Sequence, residues 1–334
     1  MTIKDISAQT GYSVGTVSRV LNNQPNVSEK ARKAILDAAN AAGFQLNANA
    51  KQLKQQRANS ILAVVKGTSN ELFGSLIEAL QARVADWPYP LIVDYLDEDS
   101  NEVLRAVQLC REKKPLGVLF LGGNLENFRA HFQDIDLPCV LVTNDAEKLA
   151  FENLSSVTTD DRQAGYLAVE HLAKLGHKCI AVIGGDREVS DIARLRYEGC
   201  REAALQYGVE FDPNADYRGV RFSFQDGYEA ALDLLDKGRH FTAIFAIADV
   251  MAIGAIRALR DRGLRVPEDV SVVGLDGLLI GEYTVPKLST IRQSVEELAN
   301  RSVQILREQI EGAIGNRYET IAPSMDCKES TRSI

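Results

Sequence analysis

The chain has 334 residues, which at roughly 150 residues per domain suggests two domains or slightly more. Hydrophobic residues make up 45% and charged residues 25%, a composition that excludes a disordered tail protein and a disulfide-stapled miniprotein. No apolar run approaches the ~18 residues of a membrane helix. The opening MTIKDISAQTGYS lacks a basic start followed by an apolar core, so no secretory signal and no membrane partner are expected.

The net charge of −8 conceals an asymmetry. Residues 1–57 carry eight Lys/Arg against three acids, a net +5, whereas the remainder is −13. A small basic head on a large acidic body suggests a polyanion partner for the head alone. The five cysteines, Cys110, Cys139, Cys179, Cys200 and Cys327, are far apart and form no CxxC pair. They read as reduced core residues of a cytoplasmic protein. With four scattered histidines, neither a metal nor a cofactor is expected.

Residues 2–45 have helical spacing and no strand pattern. Thr2 and Asp5 resemble a capping box for a first helix with Ile3 and Ile6 inward. Gly11 and Tyr12 break it. Ser13 caps a second short helix in which Val17, Val20 and Leu21 share one face. Ser28 caps a third, whose apolar stripe is Ala31, Ala34, Ile35, Ala38 and Ala42, stopped by Gly43. Residues 46–59, LNANAKQLKQQRAN, read as a polar, basic linker.

From residue 60 short apolar runs alternate with amphipathic stretches: SILAVV, 73–85, PLIVDY, 100–112, LGVLFLG, 125–133 and PCVLVT. A second series follows: helix 162–175, CIAVIGG, helices 193–207 and 224–236, TAIFAI, helix 251–262, VSVVGLD and helix 295–311. Such alternation means βαβ units, and their number predicts two doubly wound parallel-sheet lobes.

Two short helices around a tight turn fit a helix-turn-helix, whose second helix enters the major groove. Burying Val17, Val20 and Leu21 leaves Val14, Gly15, Thr16, Ser18 and Arg19 near or on the outer face. Arg19 can fork onto guanine, worth ~1–3 kcal/mol of discrimination. Ser13, Thr16, Ser18 and Asn22 suit phosphates. Spacing alone also fits a three-helix bundle with a solvated face.

The stretch TIKDISAQTGYSVGTVSRVLNNQPNVSEKARKAILDAANAAGF resembles the head of the lac and gal repressor family of bacterial regulators, TVSRVLN being among its most specific strings. HLAKLGHKCIAVIGG, MAIGAIRALRDRGLRVPEDVSVVGLD, LSTIRQ and KESTR resemble family segments in family order, so the match spans essentially the whole chain. The resemblance implies a helix-turn-helix head over 1–45, a hinge helix over 46–59, and a periplasmic-binding-protein-like effector and dimerisation body over 60–334. One lobe would take about 60–160 plus 291–320, the other about 161–290 plus 321–334, with crossovers near 160, 290 and 320.

It places Val14, Gly15 and Arg19 at base-reading positions, Gly15 standing where a longer polar residue is usual. NANAKQLK resembles the hinge, with Asn47, Ala50, Lys51, Leu53 and Lys54 at the DNA and Leu53 as the wedge that kinks the duplex. Leu46 and Lys51 depart from the usual proline and arginine, and Leu53 could instead pack on the body.

In the body, open α/β lobes bind ligands at the carboxyl ends of their strands. By resemblance Asp276 accepts effector hydroxyls, Arg196 reaches in as a fork donor and Phe222 stacks on the ligand ring. Phe73, Ser190 and Asp191 are further candidates. Phe73 and Phe222 could equally fill the core. Asp249 is a candidate too, though a cap on helix 251–262 is its commoner use, and Asp160 shares that ambiguity. Ala248 replaces a polar residue often found there.

No GxGxxG, P-loop lysine, GxSxG or HExxH motif is present, so catalysis is not expected. The expected function is a regulator, most simply a repressor, that binds pseudo-palindromic operator DNA as a homodimer and answers to a small molecule, foremost a carbohydrate. A nucleobase or nucleoside effector is the alternative. A cytosolic solute-binding α/β protein is the rival from another class.

Overall fold

The computed structural model describes residues 3–21, 27–41, 60–68, 70–238 and 240–334. The chain divides into two compact units, Met1–Arg57 and Ala58–Ile334.

The first unit holds α1 (Ile3–Thr10), α2 (Val14–Leu21) and α3 (Glu29–Ala41). Ile6, Val17, Val20, Ile35 and Ala39 are its buried core. The stripe on α3 differs from the expected one. Ala31, Ile35 and Ala39 are buried and Ala34 is exposed, because a strict i, i+4 spacing keeps one line toward α1 and α2 while Ala34 falls a quarter-turn away. Ala42 and Gly43 lie outside the described residues.

The second unit alternates strands and helices. In chain order these are β1 (Ile61–Lys66), α4 (Glu71–Val84), β2 (Leu91–Leu96), α5 (Glu102–Lys113), β3 (Gly117–Leu121), α6 (Leu125–His131), β4 (Cys139–Val142) and β5 (Leu154–Thr159). Then come α7 (Asp161–Lys174), β6 (Ile180–Gly184), α8 (Asp191–Tyr207), β7 (Tyr217–Gly219), α9 (Phe224–Asp236), β8 (Ala243–Ala246), α10 (Asp249–Asp261) and β9 (Ser271–Asp276). β10 (Ser289–Arg292), α11 (Val295–Ile310), β11 (Tyr318–Ile321) and β12 (Ser324–Asp326) complete it.

Two six-stranded sheets result, ordered β11-β5-β4-β3-β1-β2 and β12-β10-β9-β8-β6-β7. Every pairing is parallel except β10 with β12. The central strands are buried along their length, as expected where helices cover both faces of a parallel sheet. Short polar residues behind the strands cap the helices that follow. Asn70, Asn101, Asn124, Asp160, Ser190 and Ser223 each accept a hydrogen bond from a first-turn amide.

The chain passes between the lobes three times: after β5 at Thr159, between β10 and α11, and between β11 and β12. α11 packs on α4, β4 and β5 in the first lobe. All five cysteines are free thiols; Cys139 and Cys200 are buried, but Cys327 is exposed.

Candidate functional sites: a recognition helix and an interlobe cleft

In the head, the turn between α1 and α2 is fixed locally. Gly11 adopts φ +73°, a left-handed conformation that favours glycine. Ser7 Oγ donates to Tyr12 O at 2.6 Å and Thr10 Oγ1 to Ile6 O at 2.7 Å. Ser13 Oγ accepts from Thr16 N at 3.2 Å and sits 2.9 Å from Thr16 Oγ1, so the cap expected of Ser13 is present. Val17 and Val20 are buried, while Ser13, Val14, Gly15 and Arg19 are exposed and Thr16 and Ser18 half-buried. That is a short helix with one apolar side fixed to α1 and α3 and its amino-terminal outer side open. Asn22, and the hinge candidates Asn47, Ala50, Lys51, Leu53 and Lys54, lie outside the described residues.

In the body, a cleft of about 430 Å3 runs between the lobes at the carboxyl ends of their strands. Of the seven residues expected there, Phe73, Ser190, Arg196, Phe222 and Asp276 line it. Phe73, in the first turn of α4, sits against Gly122 at the end of β3. A Cβ on Gly122 would come within 2.8 Å of Phe73 Cζ. Phe222 comes from the other lobe and packs over Gly185. Both rings line the cleft, and both also pack in the core: Phe73 is a buried member of the main apolar cluster and half-buried Phe222 packs against it.

Asp191 and Asp249 are not among the lining residues. Asp191, in the first turn of α8, pairs with Arg194 at 2.7 Å. Asp249 is fully buried, and α10 starts at Asp249 itself, two residues earlier than expected. The cap position belongs to Ala248, which has no side chain able to serve. Asp249 instead accepts from Leu278 N at 2.7 Å and Thr290 Oγ1 at 2.6 Å, tying the loop after β9 to β10. Asp160 does act as a cap, accepting from Gln163 N at 2.9 Å.

Arg196 is buried, and its guanidinium is committed within the protein. Nε donates to Asp161 Oδ1 at 2.8 Å and Nη1 to Ile247 O at 2.7 Å. Burial raises the Asp161 carboxyl above its usual range, against the opposing pull of Arg196. Asp276 closes β9 with φ +125°. Its Oδ1 accepts from Gln293 Nε2 at 2.7 Å, and Gln293 Oε1 in turn accepts from Thr159 Oγ1 at 2.7 Å. Thr159 and Gln293 stand at two of the three interlobe crossovers.

Several cleft residues carried no sequence signal. Thr143 and Asn144, at the end of β4, line the first lobe, and Thr143 has φ +78°. Thr143 Oγ1, Asn144 Oδ1 and Asp276 Oδ2 are buried without a protein partner, a state that costs about 1–3 kcal/mol per group. Non-glycine residues at positive φ concentrate at functional sites. Lys66 pairs with buried Glu102 at 2.8 Å. Arg221 bridges the lobes at the mouth, pairing with Asp97 at 3.0 Å and with Glu98 and Asp99. Burial pushes the Glu98 carboxyl up, opposed by Arg221.

Comparison with known proteins places this architecture. Residues 2–47 match the family described as bacterial regulatory proteins, lacI family, and residues 169–331 the periplasmic binding protein-like domain. The HTH-type transcriptional regulator DegA of Bacillus subtilis (strain 168) is 32% identical over 301 residues, covering 89% of this chain and 88% of DegA. A solved complex of the transcriptional regulator CelR with cellobiose aligns with a TM-score of 0.72 at 25% identity, over 99% of both chains. The lac repressor dimer bound to operator and the anti-inducer ONPF shares the fold, with a TM-score of 0.76 at 24% identity over 100% of this chain and 99% of that one. These relatives are regulators, not enzymes. With a helix-turn-helix head and two parallel-sheet lobes around one cleft, the chain belongs to the lacI family of bacterial regulatory proteins and is a DNA-binding transcriptional regulator.

Proposed function

We propose that this regulator binds a pseudo-palindromic operator as a homodimer in the cytoplasm, and that a neutral, carbohydrate-type effector in the cleft sets its affinity for DNA. Head 1–45, linker 46–59 and body 60–334 divide the work. In the head, Arg19 and Val14 are the base readers, and Ser13, Thr16 and Ser18 flank them for phosphates. Leu53 is assigned to the central step of the operator.

The observation that carries the effector reading is the set of orphaned oxygens on both walls: Thr143 Oγ1 and Asn144 Oδ1 from the first lobe, Asp276 Oδ2 from the second. A polar ligand that satisfies both walls favours one lobe arrangement over another, which is the differential affinity an allosteric effector needs. The lining cations Lys66, Arg196 and Arg221 already have carboxylate partners, which disfavours a phosphorylated ligand. Phe73 and Phe222 offer apolar faces to a sugar ring from opposite lobes. The same two rings fit a nucleoside, which remains the second reading.

Dimerisation is supported by an exposed apolar patch, Leu279, Ile280, Tyr283 and Val285, in the second lobe. Among the described residues no helix is long and apolar enough to cross a membrane.

The test is genomic selection on the full chain, followed by a thermal-shift screen of glucose, cellobiose, ribose and adenosine. Palindromic sites and a stabilising ligand are expected, with ~2.7 kcal/mol gained at 100 times the dissociation constant. Failure to enrich any palindrome contradicts the DNA reading. No shift with any of the neutral sugars, alongside a clear shift with adenosine, replaces the carbohydrate by a nucleoside.

A further inference from the structure

The second lobe's wall holds more buried carboxylate than it neutralises. Asp161, Asp249 and Asp276 are all buried, and Arg196 is the single buried guanidinium among the described residues. Arg196 is committed to Asp161 from α7 and to the Ile247 carbonyl. Asp249, from α10, has two internal donors, Leu278 N and Thr290 Oγ1. Asp276 has one, Gln293 Nε2 on Oδ1, and none on Oδ2.

The neighbouring charges are likewise taken. Lys328 pairs with Glu282 and Asp326, Arg292 with Asp326, and Lys66 across the cleft with Glu102. Asp186, on the loop after β6, is exposed and adds only negative charge. An unpaired carboxylate removed from water is so costly that the group takes up a proton instead. The hydrogen bonds say where the proton sits. Oδ1 accepts from Gln293 and is the carbonyl-like oxygen, so the proton belongs on Oδ2, the oxygen with no protein partner.

We propose that Asp276 serves the cleft as a neutral carboxylic acid whose Oδ2–H donates to an acceptor oxygen of an uncharged ligand. The proposal rests on the reading of the cleft as the effector site and specifies its chemistry. The ligand brings a hydroxyl, ether or carbonyl oxygen to Oδ2, and an ammonium there gains nothing. Burial supports this assignment by raising the carboxyls of both Asp276 and Asp249; at Asp276 the positive charge of Arg196 opposes it and the negative charges of Asp249 and Asp161 add to it. Gln293 is the positioning residue: it fixes which oxygen carries the proton, and through Thr159 it holds that oxygen to an interlobe crossover.

The experiment is infrared difference spectroscopy on the full chain with 13C-labelled aspartate, without ligand, between about pH 7 and about pH 10, where an ordinary aspartate is ionised throughout. A protonated-carboxyl band at the lower pH is expected, with its main component lost in Asp276→Asn and kept in Asp249→Asn. Absence of the band in the wild-type chain overturns the proposal, whether or not the variants fold. A band unchanged in Asp276→Asn overturns it too and moves the proton to Asp249.

Cellobiose and glucosamine then serve as probes by calorimetry. Cellobiose affinity falls by up to tenfold per pH unit above the Asp276 transition, and in Asp276→Asn the pH dependence disappears. A preference for glucosamine that grows as pH rises from about 6 to about 7 contradicts the neutral acid. Because the spectrum is recorded on ligand-free protein, it decides the proton independently of whether the cleft is the effector site.

Discussion

The two walls of the cleft are built on the same plan with different chemistry. Each lobe ends a strand in a non-glycine residue at positive φ, Thr143 after β4 and Asp276 in β9, and each leaves a buried oxygen of that residue unpartnered. The first wall is neutral in its depth, with Thr143, Asn144 and Phe73, and carries its charges, Glu98 and Asp99, at the mouth beside Arg221, with Lys66 paired to Glu102. The second buries Arg196 with Asp161, and beside them Asp249 and Asp276, each with hydrogen-bond donors of its own. The strand ends of two like sheets can thus present mainly neutral polarity in the depth of one wall and buried titratable groups in the other.

Helix packing follows the same division. In the second lobe α7 crosses α8 with backbones in contact: a Cβ on Gly165 would lie 1.9 Å from Arg196 O, and one on Gly199 1.9 Å from Arg162 O. That close crossing brings Arg196 to Asp161. Gly74, on α4 of the first lobe, meets nothing within 4 Å.

Five measurements break or sharpen this contrast. Asp161→Ala leaves the Arg196 guanidinium buried without its partner and is expected to cost about 3–5 kcal/mol in denaturant unfolding; a loss below about 1 kcal/mol means the network is not what holds the second wall. Gly165→Ala forces the α7–α8 crossing apart, at a cost on the order of 3 kcal/mol. Gly74→Ala in the first lobe should instead stabilise by about 0.5–1 kcal/mol, since it replaces glycine in an exposed helix interior.

The pH dependence has a definite sign. The folded-state carboxyls of Asp249 and Asp276 are raised, so the folded chain holds protons that the unfolded chain releases. Their contribution is fully present at acid pH and is lost as pH rises through their raised folded values. Melting temperature should therefore decline from about pH 4, where the unfolded carboxyls ionise, to about pH 8, where the folded ones do, and more shallowly in Asp276→Asn; an identical slope in that variant points to other groups. The smallest effect on stability is expected at Arg19→Ala, whose side chain is exposed. Unfolding should be unchanged, while discrimination between operator and random DNA drops by ~1–3 kcal/mol. Equal weakening on both DNAs contradicts direct readout.

Much of this was legible in the sequence, and the exceptions have physical causes. Long apolar runs and amphipathic stretches mark their elements well, and α9 runs over 224–236 as its periodicity predicts. β7 and β12 have three residues each, and β10 and β11 four, too short to show alternation. β5, LSSVTT, is fully buried yet two-thirds hydroxyl-bearing, so it reads as a loop until its neighbours are known. Arg196, Phe222, Phe73, Ser190 and Asp276 were legible as strand-end or family positions. Asp161 was hidden beside Asp160, because local cap spacing selects one carboxylate and only the fold selects the other. Thr143 and Asn144 look like ordinary turn residues; what sets them apart is a missing partner, which no local pattern encodes.

The most direct test of the account is operator affinity of the full chain, measured by fluorescence anisotropy with and without a saturating concentration of the sugar that most raises its melting temperature. The account predicts a shift of at least about fivefold, corresponding to ~1 kcal/mol of coupling, abolished by Asp276→Ala with operator binding itself retained. An operator affinity that is the same with and without the bound sugar contradicts it.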